Sequence, residues 1–341
     1  MAVRLGKQTI AMTKDISIVN TATIVGTKEA EGPLAPYFDV KMNDAEWGEE
    51  TWEKTESKMQ KEAAKLAVHK SGKTLQDMDC AFAGDLLNQC ISSGFSAREL
   101  GVPYYGLYGA CSTMTEGLSL AAISIDGGGM NTVLAVASSH FCTAERQYRN
   151  PLEYGGQRPP TAQWTVTGAG AAVLESGGGG PYITHVTTGK VVDFGVIDQN
   201  NMGGAMAPAA IDTLCAHFKD TGRSPESYDL ILTGDLGTLG REVVINMMNS
   251  NGFNMSDNYG DSGCMIFDID KQDVHAGGSG CGCIAVTTCG YIFEMMKTGK
   301  LNDVLILATG ALLSPTSSLQ GESVPGIAHA VALSNRPGGE R

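Results

Sequence analysis

The residue whose type and setting best suit chemistry in this chain is Cys111. It stands in the run Tyr108-Gly-Ala-Cys111-Ser-Thr-Met-Thr-Glu116, at the head of a small-residue segment with helical character. A thiol in the first turn of a helix meets unpaired backbone N–H groups and the positive end of the helix dipole, and both favour thiolate. A Gly-Ala turn between strand and helix allows close approach by a substrate, as at a nucleophile elbow. The alternative for the same residue is a small apolar filler, the reading given to most of the other cysteines; the elbow context favours the site. A second group follows the apolar run Thr132 to Ala137: Ser138, Ser139 and His140, at a strand end where α/β sheets keep their ligands. Arg146, Arg149 and Arg158 come next, whereas Arg98 is the one other Lys or Arg between Gln76 and His140. Arginines facing a pocket hold a planar carboxylate through paired N–H bonds; on the surface they would pair with Glu145 and Glu153 instead. His185, His275 and His329 lie near glycine turns or strands, each suited to act as a base or as a satisfied structural histidine.

Other patterns fail. His69 to Thr74 ends like a phosphate loop but has Ala67 where the first glycine belongs, and Gly278 to Gly282 lacks the third glycine of a dinucleotide fingerprint. Asp268, Asp270 and Asp273 lack the glycine and the terminal glutamate of a calcium loop. Cys281-Gly-Cys283 has the wrong spacing for zinc or a redox pair.

The elements that must hold these residues alternate. The chain has 341 residues, enough for about two domains, and 44 of them are glycine without collagen-like periodicity. Net charge is −13, which argues against nucleic acid and anionic lipid as general partners. The longest apolar stretch, Val304 to Leu313, is too short to span a bilayer, and Met1 to Gln8 reads as no signal peptide. Nine cysteines, an odd number without framework spacing, indicate free thiols in a reducing compartment.

Strands are expected over 16–25, 79–84, 104–108, 132–137, 169–175, 182–188, 228–233, 303–309 and 327–334. Helices are expected over 44–71 with Asn43 as N-cap, and over 86–99, 113–125, 207–219, 239–248 and 280–296. Each half places a Gly/Ala/Ser/Cys-rich helix before an apolar strand, so the chain reads as a duplicated α/β unit. The halves divide at Gly177–Gly180 into residues 1–180, carrying Cys111, and 181–341. Composition argues against order in the tail after Asn335.

Gly109-Ala-Cys111-Ser-Thr, the segment 133–140 and Val166-Thr-Gly-Ala-Gly-Ala-Ala-Val-Leu174 resemble landmarks of the thiolase and β-ketoacyl synthase III family, in its order and spacing. Four further phrases, over 157–168, 232–237, 276–283 and 314–329, resemble its sporulation branch in spore-forming bacteria. That resemblance implies a thiolase-like fold, two similar halves in a five-layer αβαβα arrangement, and a homodimer. It also implies binding of dipicolinic acid, or its calcium chelate, for uptake into the developing spore. The partners it implies are the other subunits of the stage V sporulation A membrane complex, met peripherally at the spore inner membrane.

The departures matter as much. The family's condensing enzymes use a cysteine with a His and an Asn that stabilise the thioester oxyanion and developing enolate. Cys111 matches the nucleophile, but the histidine's place falls on Gly234 and the asparagine's on Gly278. Non-catalytic binding at a vestigial pocket is therefore expected, with an acyltransferase using Cys111 as the alternative. The expected ligand contacts are Cys111, Ser138, Ser139, His140, Arg149, Gly234, Asp235 and Gly278. The two glycines would vacate room for a flat ring, N–H groups at the Cys111 helix would hold a carboxylate, and Asp235 would meet any calcium carried with the ligand. No other cofactor is expected.

Overall fold

The computed structural model of the chain describes residues 2–149, 152–255 and 257–337; residues 338–341 of the tail expected to lack order lie outside them. The longest strand, β1 (Thr9–Val25), runs through the middle of one mixed sheet. On one side of it lie, in spatial order, β5 (Gly168–Ser176), β4 (Thr132–Ser139), β2 (Cys80–Gly84) and β3 (Tyr104–Leu107). On the other lie β6 (Tyr182–Thr187), β10 (Gly326–Ser334), β9 (Asp303–Ala311), β7 (Leu230–Thr233) and β8 (Tyr259–Asp261). The strand sequence on one side of the seam repeats on the other, β1-β5-β4-β2-β3 against β6-β10-β9-β7-β8. Strands β4, β5, β9 and β10 are buried along most of their length, which explains why their residues read as unbroken apolar runs without alternation.

Helices α1 (Trp52–Lys70) and α2 (Ile91–Leu100) cover the outer face of the first half, and α5 (Met202–Thr221) and α6 (Gly237–Ser250) that of the second. Between the halves lie α3 (Thr113–Asp126) and a second helix running from Cys281 to Lys297 through a π-helical stretch, Thr287–Ile292. Both touch strands of both halves, which makes the central layer of αβαβα. Met114, Leu118, Ala121, Ala122 and Ile125 of α3 join Cys281, Ile284 and Ala285 in one buried cluster, and the small residues let the two helices sit close.

Several boundaries differ from expectation: the strand expected over 16–25 begins at Thr9, the helix expected over 86–99 at Ile91 and the helix expected over 207–219 at Met202. The long helix starts at Trp52 with Thr51 as N-cap, its side chain accepting from Lys54 N, rather than at Asn43. Trp47 (φ 44°) and Gly48 (φ 77°) turn left-handed in the acidic stretch before it, and α-helix cannot continue through them. Helix α4 (Phe141–Tyr148), capped by the His140 ring accepting from Cys142 N at 3.2 Å, and the short strand β8 were not foreseen.

Candidate ligand-binding site

Cys111 sits between β3 and α3, as its sequence context predicts, and the turn is tight. Ala110 takes a left-handed φ of 49°, and a Cβ on Gly310 of β9 would lie 2.4 Å from the Gly109 carbonyl oxygen. The second half thus presses directly on the turn. Ser112 N donates to Gly109 O (3.0 Å) and Thr113 N to Ala110 O (3.4 Å), so these helix-start groups are already engaged.

The ionisation expected of Cys111 does not survive burial. The side chain is 6% exposed, its thiol donates to the Asp235 carboxylate, and it is held well above its ordinary titration range, first by desolvation and then by the Asp235 charge. The helix start does not compensate, because an anionic neighbour in a dry site outweighs a partial dipole charge. Asp235 is itself pushed up to about 7 by burial, against the opposing pull of hydrogen bonds from Cys111, Thr309 and Gly280. Its carboxylate accepts from Thr309 Oγ1 at 2.7 Å and Gly280 N at 3.0 Å. A thiol pinned to a carboxylate in this way is a poor nucleophile.

The glycines also behave differently from the expectation of vacated room. A Cβ on Gly278 would meet Ile266 Cγ2 at 2.8 Å, Phe267 Cε2 at 3.2 Å and Val166 Cγ2 at 3.3 Å; one on Gly234 would meet Thr309 N at 3.0 Å and Ala308 Cα at 3.1 Å. Packing fills both directions. Gln163, buried, ties the two segments together: its Nε2 donates to Asp235 O (2.6 Å) and to Gly278 O (2.8 Å).

A cavity of about 40 Å³ reaches Cys111, lined also by Leu86, Tyr108, Tyr148, Arg149, Thr165 and Ser279. Of the eight expected ligand contacts, Cys111 and Arg149 line it. Ser138 and Ser139 are fully buried: Ser138 Oγ donates to Glu56 Oε1 (3.2 Å) and Ser139 Oγ to Val166 O (2.7 Å). His140 is also fully buried, with Nε2 at 2.9 Å from Ala45 O. Arg149 forms an ion pair with Glu145, and its Nε is buried without a hydrogen-bond partner. Arg146 pairs with Glu53 and lies over the Trp52 ring, while Arg158 pairs with Asp273 and lies over Trp164. His275 Nε2 lies 3.4 Å from Asp273 Oδ1; His329 accepts from Gly189 N and is lowered to about 4 by burial.

Sequence reasoning missed the two tyrosines that close the cavity. Tyr148 OH lies 2.8 Å from Tyr108 OH and also donates to Leu86 O. Outside this pair lie two wider grooves. One, of about 470 Å³, is bounded by Tyr148, Arg149, Asp198, Asn200, Pro315 and Leu319. The other, of about 330 Å³, is bounded by Asn88, Gln89, Tyr108, Tyr148, Leu313 and Pro315. Arg149 thus faces both the inner cavity and the first groove. Among the described residues no helix is long and apolar enough to cross a membrane, and no cluster of three or more His, Cys, Asp or Glu side chains could hold a metal ion.

Comparison with known proteins follows the same lines. The sequence profile of a family described as Stage V sporulation protein AD matches residues 6–334. Stage V sporulation protein AD of Bacillus subtilis (strain 168) is 45% identical over 334 residues, covering 98% of each chain. Among solved structures, 3-oxoacyl-[acyl-carrier-protein] synthase III of Aquifex aeolicus VF5 superposes with a TM-score of 0.59 at 14% identity, over 94% of this chain and 99% of that one. A Xanthomonas campestris OleA variant bound with cerulenin gives 0.62 at 13% identity, over 95% and 97%. These likenesses establish the thiolase-like fold expected from the sequence.

Proposed function

Because the chain belongs to the stage V sporulation protein AD family, we propose that it is a non-catalytic binder of dipicolinic acid, or its calcium chelate, serving uptake into the developing spore beside a membrane transport complex. The observation that carries this reading is Arg149: a half-buried guanidinium, paired with Glu145 but with its Nε N–H unpartnered, that borders both the inner cavity and a wide polar groove. The inner cavity, about 40 Å³, is far smaller than the groove outside the tyrosine pair, about 470 Å³. A pyridine ring bearing two carboxylates therefore lies in the groove outside the tyrosine pair, with one carboxylate on Arg149. Binding without turnover is supported by the protonated Cys111 and by the filled spaces beside Gly234 and Gly278. Calcium, where it travels with the ligand, would be held chiefly by the ligand's own carboxylates, since Asp235 is buried with both oxygens engaged.

A homodimer fits the exposed edge. Strand β3 pairs on one side with β2, and Ile91, Phe95, Tyr105 and Tyr108 are exposed beside it; edge-to-edge pairing with a second copy would cover them.

Titration calorimetry with dipicolinate, with and without calcium, tests the reading. Saturable heat is expected from the parent protein. Loss of a charge-assisted bond of about 1.5–3 kcal/mol should weaken Arg149→Ala by about 10- to 150-fold, with circular dichroism unchanged. No heat under either condition would remove the ligand assignment. The second reading, an acyltransferase, draws on Cys111 reaching the cavity at a helix start. A persistent mass increase at Cys111 after incubation with acyl-coenzyme A species would favour it.

A further inference from the structure

Among the described residues, four of the five exposed large apolar side chains of the second half lie on two linked loops. The segment following β6 carries Val191 (58% exposed), Phe194 (71%) and Ile197 (69%), and the helix Pro315–Leu319 ends in Leu319 (89%). The loops bearing them are fastened to each other. Val192 N and Gly326 O, and Gly326 N and Val192 O, exchange bonds of 2.9 and 2.8 Å, and Val324 N donates to Val196 O at 2.8 Å. Ser323 Oγ donates to Asp193, which also accepts from Gly195 N at 2.8 Å, so Phe194 stands on a braced turn. Ile197 and Leu319 both border the groove outside Tyr148. Isolated exposed apolar residues are ordinary, but several held rigidly together mark a surface that is covered in use.

The charges around the patch narrow what covers it. Residues 191–202 and 312–326 contain no Lys or Arg and three acids, Asp193, Asp198 and Glu322, all exposed. Hydrogen bonds from Ser323 and Gly195 hold the Asp193 carboxyl below its ordinary range, in the charged form. Lys190, beside the patch in sequence, pairs with Asp212 at 2.8 Å; Arg149, which also borders the groove, pairs with Glu145 and keeps its Nε for a groove ligand. An anionic lipid surface would be repelled by this rim, and so would the same acid-rimmed face of a second copy.

We propose that Phe194, Ile197 and Leu319 form a docking surface for a protein partner that presents apolar side chains flanked by Lys or Arg. The partner sits over the outer groove, so its binding and occupancy of that groove are coupled. The test uses a fluorescent amphipathic peptide with leucines on one face and lysines on the other, its glutamate-for-lysine counterpart, and phosphatidylcholine–phosphatidylglycerol vesicles. The expected result is saturable anisotropy with the lysine peptide alone, and affinity lower by about tenfold or more in Phe194→Ser/Leu319→Ser, as for removal of two anchors. That variant keeps every charge, and both sites are exposed, so its thermal melt should match the parent. Equal binding of the lysine peptide by the variant would reduce the effect to charge and overturn the proposal, as would absence of binding or equal binding of the glutamate peptide. Vesicle flotation or self-association that depends on Phe194 and Leu319 would also overturn it, in favour of lipid or of a second copy.

Discussion

Replacing Gly278 by Asn puts back the side chain that condensing enzymes of this fold carry, and the surroundings of Gly278 predict that the protein resists it. The new Cβ would begin 2.8 Å from Ile266 Cγ2, where carbon atoms prefer about 3.5–4.0 Å, so Ile266 must retreat by roughly 0.7–1.2 Å. It has nowhere to go, because Ile266 is 0% and Phe267 2% exposed. Overpacking of this kind costs about 1–3 kcal/mol. The amide then lies against Ile266, Phe267 and Val166, none with a polar side-chain atom, and an unsatisfied buried amide adds about 1–3 kcal/mol. The total is about 2–6 kcal/mol. With an unfolding entropy of about 2.1 cal/mol/K per residue over 341 residues, the melting temperature should fall by about 3–8 °C. Gly278→Ala isolates the steric half and should fall by about 1–4 °C. Scanning calorimetry measures both. A Gly278→Asn protein that melts with its parent would refute the packing account, and one that also gains an acyl adduct on Cys111 would revive the enzyme.

Three further outcomes follow from buried groups and the open edge. Alkylation of Cys111 by iodoacetamide, followed by peptide mass spectrometry, should be slow at pH 7 and accelerate only above pH 9; Asp235→Asn should move that rise to lower pH. An unchanged pH profile in Asp235→Asn would remove the carboxylate as a cause. Glu29, buried, is raised to about 7 from an ordinary 4.5, so its contribution to stability is complete below pH 4.5 and is lost as pH climbs through about 7, roughly 3 kcal/mol in all. Glu29→Gln should flatten the melting temperature between pH 5 and 8, and a parallel fall in both proteins would assign the slope elsewhere. Tyr105→Lys, at a site 59% exposed on β3, should convert a sedimenting dimer to monomer, whereas an unaltered mass would place the interface on another face.

What the sequence disclosed and what it withheld have separate physical causes. Buried strands such as 132–139 and 303–311, and the small-residue helices between the halves, are legible because their neighbours demand one kind of residue throughout. The early start assigned to the long helix shows the converse. Acids from Asp44 to Glu50 suit a helix N-terminus, yet Trp47 and Gly48 turn the chain left-handed there. Helix Phe141–Tyr148 is short and capped by an imidazole instead of the usual hydroxyl or carboxylate, and so gave little signal. In the site, Cys111 and Arg149 were visible as types in context. The Cys111–Asp235 contact was not, since it joins residues from opposite halves and reverses the expected ionisation. Gly234 and Gly278 teach a narrower lesson: a side chain missing from a sequence is not a space in a protein, because neighbours close over it.

The seam strand Thr9–Val25 sets the timing of the protein's birth. Its two sheet neighbours, Gly168–Ser176 and Tyr182–Thr187, emerge from the ribosome roughly seven to thirty seconds later at 5–20 residues per second. For that interval a long, largely apolar segment waits with most of both edges unpaired, while β2, β3, β4 and their helices can already pair among themselves. Nascent chains of this protein therefore pass through a stage in which the middle of the future sheet is its most adhesive surface, and chaperone attendance should concentrate on Thr9–Val25.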